Sequence, residues 1–77
     1  MRVPVTSSTI VSVGYDEAAL TLHVEVRRRG GSDVYEFRGV TRERHAAFMS
    51  APSLGSHFAH QIRGRYVESR RLEGAAQ

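Results

Sequence analysis

The sequence lacks several features, and each absence excludes a class of protein. Its 77 residues include no cysteine, which excludes disulfides, thiolate metal ligands and thiol nucleophiles. No apolar run approaches the ~18 residues that span a bilayer, and residues 1–8 lack the apolar core that is typical of a signal peptide. These absences predict a cytoplasmic protein without a membrane partner, held together by packing alone.

Lysine is also absent, so all 11 basic residues are arginines. Codon bias explains such a pattern as well as selection on charge does. The formal net charge is only +3, but guanidinium groups bind phosphate as planar forks and stack on bases. The composition therefore favours an anionic partner, and nucleic acid is compatible with it.

The short length limits the architecture. A chain of this size buries only about 60% of its unfolded surface, which argues against a large internal cleft. We predict a single domain over residues 1–77, with a core from about residue 5 to residue 72 and a frayed C-terminal tail.

Alternating patterns predict three antiparallel strands. Residues 9–15 alternate, with Val11 and Val13 on one side and Ile10 on the other. Residues 20–26 place Leu20, Leu22, Val24 and Val26 on one face. Gly30-Gly31 predicts a hairpin turn, after which residues 34–38 return with their two aromatic side chains on a common face.

Beyond Gly39 the period becomes helical. Residues 42–51 carry apolar Ala47, Phe48 and Ala51 at helical spacing after the N-cap candidate Thr41, and Pro52 ends that helix. A second helix begins after Ser53, presents a stripe of Leu54, Phe58 and Ile62, and ends at Gly64. The fold class predicted is α+β: a three-stranded antiparallel β-meander followed by two short helices packed on one sheet face.

Specific motifs add a family resemblance. In chain order they are Ser7-Ser8-Thr9-Ile10, Gly14-Tyr15-Asp16, Tyr35-Glu36-Phe37, Ala51-Pro52-Ser53-Leu54-Gly55, Phe58, Ile62-Arg63 and Tyr66. Together they resemble the KTSC family of short domains, a copy of which lies at the C-terminus of a lysyl-tRNA synthetase. The resemblance covers residues 5–72 and implies the same meander and two helices, but no settled activity. Two positions depart from the family: Thr41 replaces a usual proline, and Ala59 replaces a frequent asparagine, so any function of that asparagine is absent here.

The start of the second helix is a candidate anion site. Ser53 and Gly55 lie where free backbone N–H groups and the positive end of the helix dipole favour a phosphate. The alternative is structural: Ser53 caps the helix, and Gly55 permits close packing against a strand. Capping and anion binding are compatible.

A basic C-terminal segment is the second candidate. Its members are Arg63, Arg65, Tyr66, Arg70 and Arg71. Such arginines can follow a phosphate backbone while the tyrosine stacks on a base, and Arg27–Arg29 at the hairpin extend the surface. The alternative is a solvated helix end, because Glu68 and Glu73 interrupt the charges.

Metal and catalytic readings have less support. His57 and His60 lie three residues apart, but a catalytic zinc generally requires three protein ligands. Ser7, Ser8 and Asp16 lack the elbow motif that activates a serine, so they are assigned to a strand entrance and a turn. We expect no cofactor and no metal.

The sequence thus predicts a non-catalytic binding module for an anionic partner, chiefly the RNA or DNA backbone. Two alternatives stay open. One is a protein–protein adaptor or self-associating subunit, since small sheets expose edges. The other is a sponge for a small nucleotide-like ligand, which would use the same arginines and serines.

Overall fold

The computed structural model describes residues 2–66 and the backbone of Arg70–Gly74. An antiparallel sheet carries two short helices, so the α+β class is confirmed. The elements in chain order are β1 Arg2–Pro4, β2 Ile10–Asp16, β3 Thr21–Arg28, β4 Gly31–Arg38, α1 Arg42–Met49, α2 Leu54–His57, which runs directly into a π-helical turn Phe58–Ile62, and β5 Arg70–Gly74. No helix among the described residues is long and apolar enough to cross a membrane.

The sheet has more strands than the three predicted. Its order is β1-β2-β3-β4-β5, with every neighbouring pair antiparallel. The predicted strands are its three central ones, and the two short outer strands were missed. β1 has only three residues and ends at Pro4, while Arg70–Gly74 shows no alternation, so neither carries a period that sequence reasoning detects. The frayed tail remains a prediction for Ala75–Gln77, which lie outside the described residues.

A β-bulge corrects the predicted faces of β2. Ile10 is opposite Val26 and Ser12 is opposite Glu25, so Val11 is an extra residue in the ladder. The extra residue moves Ile10 to the same face as Val13, and both are buried in the core. A strict two-residue period had placed these side chains on opposite faces.

The turn between β2 and β3 corrects a second detail. Leu20 was predicted to start the core face of the strand, yet it closes the turn with φ of 52° and is 41% exposed. Its carbonyl accepts hydrogen bonds from the backbone N–H groups of Gly39 and Val40, both 2.9 Å long. Leu20 thereby fastens the turn to the segment that leads into α1.

The two helices cover one face of the sheet, as predicted. Thr41 is the N-cap of α1, and its hydroxyl accepts from the Arg44 N–H at 3.2 Å. Of the apolar residues predicted for this helix, Phe48 is fully buried whereas Ala47 is exposed. Phe58 and Ile62 bring the second helix onto the same core, which comprises Ile10, Val13, Leu22, Val24, Phe37, Val40, Phe48, Phe58 and Ile62.

The opposite face of the sheet is polar. Glu25 accepts hydrogen bonds from the hydroxyls of Ser32 at 2.6 Å and Ser12 at 2.8 Å. These two bonds lower the pKa of Glu25, because they favour its charged form. On the same face, the carboxylate of Glu36 lies 3.3 Å from His23 Nε2 and 3.3 Å from Arg38 Nε. Hydrogen bonds and ion pairs therefore organise this face around the buried Val34, the cross-strand partner of Glu25.

Candidate functional site

Hydroxyl groups from two distant parts of the chain meet in one surface pocket. The segment before β2 and the start of α2 enclose a volume of about 390 Å³. The hydroxyl side chains that line this serine pocket are Thr6, Ser7, Ser8, Thr9, Ser53 and Ser56. Sequence reasoning selected Ser53 for ligand binding but assigned Ser7 and Ser8 only to a strand entrance.

Local hydrogen bonds shape both walls of the serine pocket. The Ser7 hydroxyl accepts from the backbone N–H groups of Thr9 and Ile10, each at 3.1 Å, and this turn starts β2. The structural reading of Ser7 is therefore confirmed. Opposite it, the Ser53 hydroxyl accepts from the Ser56 N–H at 3.3 Å, so Ser53 caps α2 as predicted.

Gly55 joins the two walls through a close approach. A Cβ atom on Gly55 would lie 2.9 Å from Thr9 Oγ1 and 3.0 Å from Thr9 Cβ. Real Cβ atoms essentially never come this near another heavy atom. The glycine thus permits packing against the strand entrance, which is the structural alternative stated for it above.

Arg27 is the basic residue whose contacts reach the serine pocket. Its backbone N–H donates to the Thr9 carbonyl at 2.7 Å, and its side-chain Nε donates to the Ser8 carbonyl at 3.2 Å. The Nε bond fixes the guanidinium beside the pocket wall and leaves its two terminal nitrogens available as donors. Sequence reasoning did not detect this pairing, because 19 residues separate Arg27 from the residue whose carbonyl accepts the bond.

The C-terminal end of the second helix reaches the same end of the sheet. Arg63 lines a smaller pocket of about 170 Å³, together with Val26, the residue before Arg27. We call this the ring pocket, and its lining residues are Val26, Tyr35, Phe37, Phe58, Arg63 and Gly64. Arg65 is exposed next to it and donates from Nε to the His60 carbonyl at 3.3 Å.

Four exposed arginines lie in the β3–β4 hairpin or at the end of the second helix, and Arg27 and Arg63 extend from opposite faces of the sheet. The four are Arg27, Arg29, Arg63 and Arg65, and we call them the hairpin-end surface. All four are exposed, and in residues 2–66 none has a carboxylate within ion-pair distance. Their neighbour Arg28 differs, because its Nε contacts Asp33 at 2.9 Å.

The predicted site residues do not form one contiguous group. Ser53 precedes the second helix and Arg63 follows it, so about 15 Å of helix axis separates them. The bond from Arg27 to Ser8 links the hairpin, and not Arg63, to the segment that lines the serine pocket. Arg70 and Arg71 have their backbone in β5, and their side chains lie outside the described part of the chain.

Tyr66 has a packing role that sequence reasoning did not assign. Its ring lies edge-to-face with the buried Phe37, at a centroid distance of 6.4 Å and an interplanar angle of 62°. The side chain is half-buried and packs against the core. Only part of its ring surface is therefore accessible to a base.

The histidines and serines of the second helix do not assemble a catalytic pair. His60 Nδ1 lies 2.9 Å from the Ser56 carbonyl and 3.4 Å from the Ser56 hydroxyl. The carbonyl accepts only, so Nδ1 carries the proton there and does not act as a base toward Ser56. His57 stacks on Phe48. In the residues with described side chains, no three metal-ligating groups come together.

Comparison with known proteins agrees with this fold and these motifs. The family model of the KTSC domain matches residues 6–66. The chain belongs to the KTSC family. Its fold is also similar to the crystal structure of the KTSC domain protein YPO2434 from Yersinia pestis, with 37% sequence identity and a TM-score of 0.84. That match covers 95% of this chain and 97% of the other. No curated protein matches the chain.

The resemblance to the KTSC family predicted from the motifs is thus confirmed. In this KTSC domain the double serine and the segment from Ala51 to Gly55 lie on opposite walls of the serine pocket. Two motifs more than 40 residues apart in the chain therefore meet at one place. The contact of Gly55 with Thr9 gives this meeting a structural reason.

Proposed function

We propose that this KTSC domain is a non-catalytic binding module for an anionic partner, the phosphate backbone of a nucleic acid. The hairpin-end surface binds successive phosphates, and the serine pocket supplies hydroxyl donors beside it. The observation that carries the proposal is a set of four exposed arginines, without a carboxylate at ion-pair distance in residues 2–66, in the hairpin and at the end of the second helix.

The electrostatics of the arginines support this function. A guanidinium without a carboxylate partner keeps its donors available for phosphate oxygens, and such charge-assisted bonds are about twice as strong as neutral ones. Arg42 and Arg38 lie elsewhere and are paired, with Glu17 at 2.7 Å and Glu36 at 3.3 Å respectively. Four of the exposed arginines without a carboxylate at ion-pair distance in residues 2–66 therefore belong to the hairpin-end surface, and Arg44 on α1 is another.

The serine pocket supports the same chemistry. Hydroxyl groups donate to phosphate oxygens in many nucleic-acid interfaces. Ser7 and Ser53 already use their oxygens as acceptors for backbone N–H groups, which leaves the proton of each hydroxyl as a donor. Arg27 is bonded to the carbonyl of Ser8, one of the residues that line this pocket.

Self-association through the β1 edge has less support than nucleic-acid binding. The Val5 N–H donates to the Val11 carbonyl and so points toward β2. In an antiparallel ladder every second residue of a strand bonds to the same neighbour, so the nitrogen of the preceding residue, Pro4, faces the open edge of β1. Proline has no N–H to donate there, which blunts the edge against pairing. A small nucleotide-like ligand remains an outcome of the test, because it uses the same phosphate chemistry.

The test is a charge reversal at the helix end. A fluorescent single-stranded RNA and a labelled nucleotide are titrated with wild type and with the double variant Arg63→Glu/Arg65→Glu, at several salt concentrations. We expect the wild type to bind RNA with a steep salt dependence and the double variant to lose measurable binding at physiological salt. Each phosphate contact contributes about 0.7 to the logarithmic salt slope for single strands, so any residual slope falls by about 1.4.

Arg44 provides the matched control. It is exposed on α1 and has no carboxylate partner in the described region, but it lies outside the hairpin-end surface. The single variants Arg44→Glu and Arg63→Glu change the net charge equally, so only the second should weaken binding strongly. Equal losses of affinity in the two single variants would show that binding depends only on net charge. Unchanged affinity in Arg63→Glu/Arg65→Glu would refute the proposal. Binding of the nucleotide alone would favour the small-ligand alternative.

A further inference from the structure

The ring pocket is the feature that the phosphate-binding proposal leaves unused. Three of its lining side chains are aromatic, namely Tyr35, Phe37 and Phe58. Phe37 and Phe58 are buried and packed edge-to-face with centroids 5.7 Å apart, and Tyr35 lies 6.3 Å from Phe37. These rings belong to the core cluster or pack against it, so their positions are fixed before any ligand arrives.

The neighbour of these rings is an arginine. Arg63 lines the same pocket, and it has no carboxylate partner in the described residues. An apolar recess with a free cation at its margin matches a ligand that has a flat apolar part next to an anionic part. A nucleotide within a strand has this composition, because each base is linked to a phosphate.

The pocket volume selects among bases. A cavity of about 150 Å³ lined by apolar residues accommodates one benzene ring, and the ring pocket encloses about 170 Å³. In this partly open recess a pyrimidine, which is a single six-membered ring, fits completely, whereas the second ring of a purine projects into solvent. In a duplex the base would first have to unpair and unstack, which weakens binding.

We infer that the hairpin-end surface binds single-stranded, pyrimidine-rich nucleic acid, with one base in the ring pocket and its phosphate on Arg63. This inference rests on the proposed function and adds the strand state and the base type. Tyr35 is the half-buried ring of the pocket that a base can contact, and stacking on one such ring corresponds to an expected preference for a single pyrimidine strand over a duplex on the order of tenfold.

The experiment compares three labelled probes by fluorescence anisotropy: a 12-nucleotide thymidine strand, a 12-nucleotide adenosine strand, and the duplex of the two. Wild type should bind the thymidine strand on the order of tenfold more tightly than either other probe. Val26→Met extends a half-buried side chain into the ring pocket and should remove this preference, while the salt slope is unchanged. Tyr35→Leu keeps an apolar side chain but removes a ring, and should reduce the same preference.

Val3→Met is the matched control, because it makes the same substitution at a 52% exposed position of β1. Circular dichroism establishes that all variants are folded. If wild type binds all three probes equally, or if Val26→Met and Tyr35→Leu both keep the full preference, the base pocket is refuted while the phosphate surface stands. If wild type binds none of the probes at low salt, the proposed function itself fails.

Discussion

A single added methyl group tests how α2 is attached to the strand entrance. In Gly55→Ala the new Cβ would lie 2.9 Å from Thr9 Oγ1 and 3.0 Å from Thr9 Cβ. Thr9 immediately precedes β2, and because its Cβ is fixed by the backbone, no side-chain rotation relieves the 3.0 Å contact. The helix or the strand entrance must therefore shift by a few tenths of an ångström.

Two opposing effects set the magnitude of this change. Overpacking of a tight contact costs about 1–3 kcal/mol, whereas replacing glycine by alanine in a helix gains about 0.5–1 kcal/mol. We expect a net loss of about 1–2 kcal/mol in the free energy of unfolding. For a domain of this size that loss lowers Tm by roughly 5–15 °C.

Thermal and urea unfolding followed by circular dichroism measure the loss. Ala59→Gly is the control for helix propensity, because Ala59 is exposed in the π-helical turn. Adding Thr9→Ala removes the hydroxyl and the methyl group, so the double variant should recover part of the stability lost by Gly55→Ala. A Gly55→Ala protein as stable as wild type would show that the close approach does not constrain this position.

Two further predictions concern α1. His45 stacks on Tyr15 with ring centroids 4.3 Å apart, and burial lowers the pKa of His45 below 6.5. The neutral form of His45 therefore stabilises the fold fully above the unfolded pKa of about 6.5, and this contribution is lost as pH falls through the lower folded pKa. Urea unfolding at pH 7.5 and pH 5 should therefore show a larger loss for wild type than for His45→Phe, and equal losses would contradict the prediction. Thr41→Ala should cost about 1 kcal/mol by removing the N-cap. Thr41→Pro should cost less, because the φ of −73° suits proline, and a lower Tm for Thr41→Pro than for Thr41→Ala would refute this.

The parts of the fold that were predictable are those with a strong local signal. The alternation in β3 and the glycine turn that follows identify the central hairpin, and Gly30 has the positive φ of 83° expected of it. The predicted helix caps Thr41 and Ser53 are confirmed, because their hydroxyls accept hydrogen bonds from N–H groups three residues further along the chain. Such interactions are encoded within a few residues, so one sequence suffices to recognise them.

The remaining parts depend on partners that are remote in the chain. The bulge in β2 is visible only from its register with β3, where Val26 and Glu25 pair with Ile10 and Ser12. β1 exists because β2 offers it a pairing edge, not because three residues ending in proline favour a strand. Propensity is too weak to reveal either feature before the neighbouring strand is placed.

The candidate site, too, was predictable only where its signal is local in the sequence. Arg63 and Arg65 were selected from the sequence as a cationic pair, and they lie exposed where the second helix ends. The serine pocket was not foreseen as a pocket, because its walls come from segments more than 40 residues apart. Arg27 was predicted only as an extension of the basic surface, and its bond to the Ser8 carbonyl links it to a residue that lines the serine pocket.

Buried residues determine where the exposed arginines lie. Arg63 directly follows Ile62, which is 1% exposed, and Arg27 directly follows Val26, which packs against the core. Each arginine therefore extends from a fixed point of the core while its own side chain contributes little to folding, since surface substitutions usually change stability by less than about 0.5 kcal/mol. A charge reversal at Arg63 should consequently alter ligand binding without unfolding the domain. This separation makes the hairpin-end surface suitable for a mutational test, because a loss of binding in a folded variant can be attributed to the charge itself.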